Sequence, residues 1–430
     1  MTAAAAQADR AQRWLGASRV LAVRLDNLGD VLMTTPALAA LRDSLPGARI
    51  TLLCGPAGAA AAPHLPMVDE VWSFSAPWMQ RSPDRVNPQA TANLGRAEAA
   101  LVDRIAEADF DAVVIFTVCT QSALPAALLC RLAGIPLRLA HCRENPYQLL
   151  TDWVPETDVI ASGMRHEVQR QLDLVASVGL NTADERMRFQ VRPADRLAVT
   201  ARLRAAGIGA LQPYVVLHPG ASAESRRWPA PSFGAAAEAL AARGDCAVVF
   251  SGDGSDLALV DRACREVLPP PGAAPVLSLA GELNLSELAA LIEGASVLVA
   301  NNSGPSHLAA ALGTPVVSLY ALTNPQHTPW RVRSVVLSHD VPCRWCLKSV
   351  CPVQHNDCLR RIEPERVVSA ALGLMNGPPD RATARLTEAL TEALTEALPE
   401  PPIERPIGRP VANPLLHLPQ TSTAPLTHCA

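Results

Sequence analysis

No run in this 430-residue sequence approaches the roughly 18 uninterrupted apolar residues that a membrane helix needs. The first residues, MTAAAAQADRAQRW, carry charges where a secretory leader would be apolar, so the chain reads as cytoplasmic. An excess of basic charge is also missing. Lys and Arg number 37 against 41 Asp and Glu, for a formal net charge of −4. No field is available to hold a nucleic-acid backbone, and nucleic acid is not an expected partner. A disulfide framework is missing as well, because seven of the eleven cysteines are scattered, as reduced core thiols would be. Finally, the first apolar strand runs into LDNLGD rather than GxGxxG, and no acidic ribose-binding residue follows about 20 residues later. That weighs against a dinucleotide-dependent dehydrogenase.

What is present is enough for two ordinary domains, at 49% hydrophobic content. The strand Val20–Arg24, the turn Asp26-Asn27-Leu28-Gly29, a helix from about Asp30 to Leu45 and the strand Ile50–Cys54 read as a βαβ start. A second start begins at Tyr214–Leu217, continues through a helix near Phe233–Arg243 and the strand Ala247–Phe250, and repeats at Val297–Ala300 and Val316–Tyr320. Such alternation predicts an α/β fold with two doubly wound parallel sheets. The expected divisions are an N-terminal extension over 1–18, a first domain over 19–195, a second over 210–375 and a low-complexity tail over 376–430. In that tail the LTEA repeat of Leu386–Leu398 rotates its leucines around any helix, and the proline-rich remainder has no hydrophobic period, so disorder is expected.

In doubly wound sheets ligands lie beyond the carboxyl ends of strands, which directs attention to four loops. In Arg24-Leu25-Asp26-Asn27-Leu28-Gly29-Asp30, Gly29 allows a tight turn and Asp30 starts a helix. Asp30 is read either as a simple helix cap or as a group with chemistry to do. In His218-Pro219-Gly220-Ala221-Ser222-Ala223-Glu224-Ser225-Arg226-Arg227-Trp228-Pro229, accessible amides, the Ser222 hydroxyl and two arginine forks suit an anion, against the plainer reading of a surface turn with solvated arginines. The turn Ser251-Gly252-Asp253-Gly254 can approach a nucleotide, and equally can be a plain strand-to-helix turn. In Asn301-Asn302-Ser303-Gly304-Pro305-Ser306-His307, Pro305 pre-organises a helix start whose amides at Ser303 and Gly304 favour a diphosphate. His307 lies in the first turn, where protonation is disfavoured. It reads as a neutral donor to phosphate or as a core histidine.

RLDNLGDVLMTTPAL, VVLHPGASAESRRWP, SGDGSD and NNSGPSHLAAALGTPVVSLYALTNP stand in the order and spacing of family-nine glycosyltransferases, and over about residues 19–372 the chain resembles that bacterial family of ADP-heptose:lipopolysaccharide heptosyltransferases. The resemblance implies the GT-B architecture, two Rossmann-like domains facing a cleft, with acceptor on the first and nucleotide sugar on the second. It places the general base on Asp30, with Asp26 and Asn27 on the acceptor side. Donor binding falls on Gly220, Ala221, Ser222, Arg226, Gly252, Asn302, Ser303, Gly304 and His307. Where the family usually has Asp in its NDSGP segment, this chain has Asn302. The implied partners are a nucleotide sugar, ADP-heptose first, and a glycan or glycolipid acceptor at the inner membrane face. The implied reaction inverts the sugar and needs no catalytic metal. Cys343, Cys346, Cys351 and Cys358, spaced C-x2-C-x4-C-x6-C, could hold a structural zinc or iron or remain reduced or paired thiols bracing a loop.

Overall fold

The computed structural model describes residues 3–79 and 94–377. The LTEA repeat and the proline-rich tail lie outside the described residues. Among the described residues twelve strands form two six-stranded sheets. The first holds β1 (Arg19–Arg24), β2 (Arg49–Cys54), β3 (Glu70–Ser73), β4 (Ala112–Ile115), β5 (Leu137–Cys142) and β6 (Asp152–Pro155), in the order β3-β2-β1-β4-β5-β6. The second holds β7 (Tyr214–His218), β8 (Ala247–Phe250), β9 (Val276–Ser278), β10 (Val297–Asn301), β11 (Val316–Leu319) and β12 (Ser334–Leu337), in the order β12-β11-β10-β7-β8-β9. Every pairing is parallel.

The central strands are buried along their length because helices cover both faces, which is why they are apolar runs rather than alternating patterns. Strand order reverses between β1 and β4 in one sheet and between β7 and β10 in the other. Loops leaving those strands open into a crevice. Three of the four loops singled out from sequence leave β1, β7 and β10, and the fourth leaves β8.

The helix Leu28–Ser44 follows β1 and is buried on nearly every side. Pro36 lies inside it and has no N–H for the Leu32 carbonyl. The Thr35 hydroxyl donates to that oxygen at 2.7 Å and accepts the Arg188 N–H at 3.0 Å. This helix packs on Glu167–Ala176 and, across the cleft, on Gly304–Leu312 of the second half. One apolar core therefore runs from Val31 and Leu32 to Leu308 and Ala309.

The expected division near residue 195 falls within a helix, Pro193–Ala205, that packs on Leu285–Glu293 of the second half. Arg196 grips Glu293 there through Nε at 2.5 Å and Nη2 at 2.8 Å. The N-terminal extension is a helix, Ala3–Leu15. Its buried Trp14 donates from Nε1 to Asp152 at 3.0 Å, which fixes it to the first sheet.

Candidate active site

Arg24 ends β1 with no exposure to solvent. Three carboxylates surround it: Asp26 at 2.9 Å from Nε, Glu167 at 3.0 Å from Nη1 and Asp30 at 3.4 Å from Nη2. Burial works against the Arg24 charge, and the carboxylates outweigh it, so its pKa is raised. Asp30 has the longest of the three contacts and the most exposed side chain, 15% against 6% for Asp26 and 0% for Glu167. Burial, reinforced by Asp26 and Glu167 and opposed by Arg24, pushes the Asp30 carboxyl up to about 6.

The helix begins at Leu28, not Asp30, with exposed Asn27 as its cap. Asp30 sits one turn in, and its Oδ2 accepts the Asn27 N–H at 3.2 Å. Capping thus uses one carboxylate oxygen. Asp26 accepts from Gln121 Nε2 at 2.6 Å and borders a cavity of about 310 Å3 whose walls include Leu25, Trp78, Phe116, Thr117 and Gln121.

On the facing side Asn301 closes β10 and clamps two loops. Its Nδ2 donates to Pro219 O at 2.7 Å, and its Oδ1 accepts the Trp228 N–H at 3.0 Å. Between those anchors runs the segment that carries Arg226. Gly220 must be glycine, since a Cβ there would overlap the Asp256 carboxylate, and Gly252 leaves only 2.9 Å to Asp256 Cβ. These two glycines shape the turns around Asp256. Ala221 is buried and its carbonyl takes Arg227 Nε at 2.9 Å, while Ser222 is exposed.

Arg226 differs from its neighbour. It has no ion pair among the described residues, and its Nε is buried with no hydrogen-bond partner. His307 Nδ1, Asn302 Nδ2 and His327 Nε2 are likewise buried without partners. His307 is held down at about 3 by burial and by the neighbouring charges of His166 and Arg226. His327, whose ring lies 6.3 Å from that of His307, is held well below the ordinary value by burial, and the Arg226 and Arg24 charges add to this. Both rings are neutral and able to donate. Ser303 caps the helix Gly304–Leu312, and its hydroxyl turns back to the Asn301 carbonyl at 3.2 Å, leaving the helix-start amides facing the cleft.

The two sides touch. A Cβ at Gly29 would stand 3.0 Å from His307 Cδ2 and 3.6 Å from Gly304 Cα. A carboxylate with a raised pKa therefore stands at one helix start, and unpaired donors with an unpaired arginine gather at the other. One side can take a proton while the other receives an anion. Sequence reasoning brought Asp30, Arg226, Asn302, Ser303, Gly304 and His307 to this meeting. Asn301 was in view as the first residue of its loop but without a role, and Glu167, Gln121 and His327 were missed, because their partners lie on other elements and leave no local signal.

A family model described as glycosyltransferase family 9 (heptosyltransferase) matches residues 99–356, more than half of the chain. The chain belongs to glycosyltransferase family 9. Among curated relatives, lipopolysaccharide heptosyltransferase 3 of Escherichia coli is 28% identical over 309 residues, covering 70% of this chain and 83% of that protein. Lipopolysaccharide heptosyltransferase 1 of Pseudomonas aeruginosa is 28% identical over 387 residues, covering 84% and 99%. Among solved structures, a family 9 glycosyltransferase from Veillonella parvula DSM 2008 superposes with a TM-score of 0.67 at 22% identity, covering 83% of this chain and 97% of that one. E. coli ADP-heptose heptosyltransferase II does so at 0.62 and 22%, covering 83% and 98%. These superpositions bear out the two-domain GT-B architecture.

As a family 9 glycosyltransferase, the protein keeps its cysteine-rich segment beside the Arg226 turn. Lys348 O accepts from the Ser225 hydroxyl at 2.6 Å, and Ser349 O accepts the Ser225 N–H at 3.0 Å. Cys343, Cys346 and Cys351 lie within electrostatic reach of Cys358, and His355 Nε2 is 3.8 Å from Cys343 Sγ. The donor set suits zinc or iron, yet among the described residues no group of three stands at metal-holding spacing.

Proposed function

We propose that this family 9 enzyme moves a heptose, or a related sugar, from a nucleotide sugar to a lipopolysaccharide-core or other cell-envelope glycan, with inversion at the anomeric carbon. ADP-heptose is the first donor to test, because the curated relatives are named as lipopolysaccharide heptosyltransferases. The observation that carries the reading is the contact between the two helix starts, with Asp30 on one and His307 on the other. The acceptor hydroxyl lies on the Asp30 side, beside the cavity that Asp26 and Gln121 border. Its oxygen attacks the anomeric carbon as Asp30 takes its proton, and the bond from that carbon to the diphosphate oxygen breaks on the opposite face. A single displacement of this kind inverts the sugar. The charge gained by the leaving diphosphate meets Arg226, the amides at Ser303 and Gly304 and the neutral His307 ring.

Among the described residues no helix is long and apolar enough to cross a membrane. A glycolipid acceptor would be met at the inner membrane face by a peripheral protein. A second reading, the same chemistry with another nucleotide sugar, is favoured by Asn302. Its buried amide nitrogen calls for an acceptor atom on the ligand, where a carboxylate would call for a donor. Incubation with a panel of nucleotide sugars, with mass analysis and NMR of the product's anomeric configuration, separates the readings. Transfer from ADP-heptose with inversion is expected. Transfer from a different donor alone favours the second reading, and a retained configuration removes the displacement.

A further inference from the structure

One buried carboxylate has no part in the chemistry above. Glu167 opens the helix Glu167–Ala176 and is fully buried. Its Oε1 accepts from Arg24 Nη1 at 3.0 Å and from Gln171 Nε2 at 2.6 Å, and its Oε2 has no partner among the described residues. Its backbone N–H donates to Gln326 O of the second half at 3.2 Å, in the loop that also carries His327. We propose that Glu167 is a positioning residue that acts through Arg24 to fix the place and the basicity of the Asp30 carboxylate. The inference rests on Asp30 being the base.

Arg24 reaches Asp30 only through Nη2, because Glu167 occupies Nη1 and Asp26 faces Nε. The buried planar guanidinium is hydrogen-bonded to Glu167 at Nη1 and ion-paired with Asp26 beside Nε, so the direction of its Asp30 contact is set by those two carboxylates. The charges facing Asp30 are Arg24 and Asp26 from its own loop and strand, and Glu167 from the neighbouring helix. From the second half come the neutral rings of His307 and His327. Behind Glu167, Arg170 stands 3.9 Å from Oε1 and is itself engaged by Glu156. Three carboxylates share one arginine at the front. The surplus negative charge favours a proton on the least tightly held of them, and that is Asp30.

The test is the pH dependence of kcat for wild type, Glu167→Gln, Glu167→Asp and Asp30→Asn, with melting temperature and ADP affinity for each. Glu167→Gln keeps the shape and removes one negative charge. The acid limb of its profile should therefore move to lower pH by on the order of one unit, with ADP affinity unchanged. Glu167→Asp keeps the charge and shortens the reach, so its limb should stay at the wild-type pH while kcat falls tenfold or more. An unmoved limb in a folded Gln variant overturns the proposal. If that variant does not fold, a wild-type kcat per folded molecule in the Asp variant overturns it, and a tenfold loss at unchanged ADP affinity supports it. Near-normal turnover in Asp30→Asn removes the base assignment itself. An inactive Asp30→Asn beside an unmoved limb removes only Glu167.

Discussion

With its carboxyl pushed up to about 6, Asp30 is largely ionised at pH 8 and still basic enough to take a hydroxyl proton. The same shift has a sign for stability. A carboxyl whose pKa is raised in the fold contributes stability that is complete below its unfolded value, about 3.9, and is lost as pH rises through about 6. Asp30→Asn resembles the protonated form, so at pH 8 it should melt no lower than wild type while losing about a hundredfold or more in kcat. Near-normal turnover would leave Asp30 as a helix residue only. Arg226 is decided by a different ligand pair. Removing its charge in Arg226→Gln should weaken ADP by about 1.5–3 kcal/mol in calorimetric titration, the usual worth of a hydrogen bond to a charged group, and leave adenosine nearly unaffected. Equal losses for the two ligands would mean that Arg226 supports the fold or the base rather than the diphosphate.

At the scale of elements, the helix Leu28–Ser44 tolerates Pro36 because Thr35 takes over the Leu32 carbonyl while holding Arg188 N–H. Thr35 is fully buried, so Thr35→Val leaves both groups unpaired and should cost about 1–3 kcal/mol in denaturant unfolding. A loss near zero would show that backbone shifts or water replace the hydroxyl. The cysteine-rich segment braces a different element. We propose that its four thiols draw together on a structural zinc or iron, and elemental analysis of protein prepared without chelator should then find about one ion per chain. Chelation should lower the melting temperature and, through the Lys348 and Ser349 carbonyls on Ser225, loosen ADP binding. Metal-free protein of full stability would leave reduced thiols bracing a loop.

For the whole molecule, both sheets were legible because buried parallel strands are apolar runs separated by helices, and Val20–Val23 or Val297–Ala300 announce themselves without any partner. Glycine and proline at fixed offsets made the loops after β1, β7 and β10 legible too. What escaped was everything that depends on two distant segments meeting. Glu167 reads as an ordinary polar residue on an amphipathic helix until Arg24 is placed beside it, and His327 gains meaning only between Arg226 and His307. A helix is legible at Leu197–Ala206 beside the expected domain boundary, and the observed helix Pro193–Ala205 agrees with it, but nothing in that segment announces that its partner is Leu285–Glu293. Asp30 looked like a cap because Asn27, one turn earlier, carries no stronger signal of its own.

The place where Gly29 faces His307 has a consequence in the gene. Every single-base change that alters a glycine codon brings in a larger residue or a stop, and here even a methyl group would press 3.0 Å against a ring carbon of the other half. Even the smallest step away from Gly29 therefore asks the His307 ring to yield by a few tenths of an ångström, and the ring that must yield is the one that faces the leaving group. A change at position 29 in one half is thereby felt at position 307 in the other, however freely their surfaces drift.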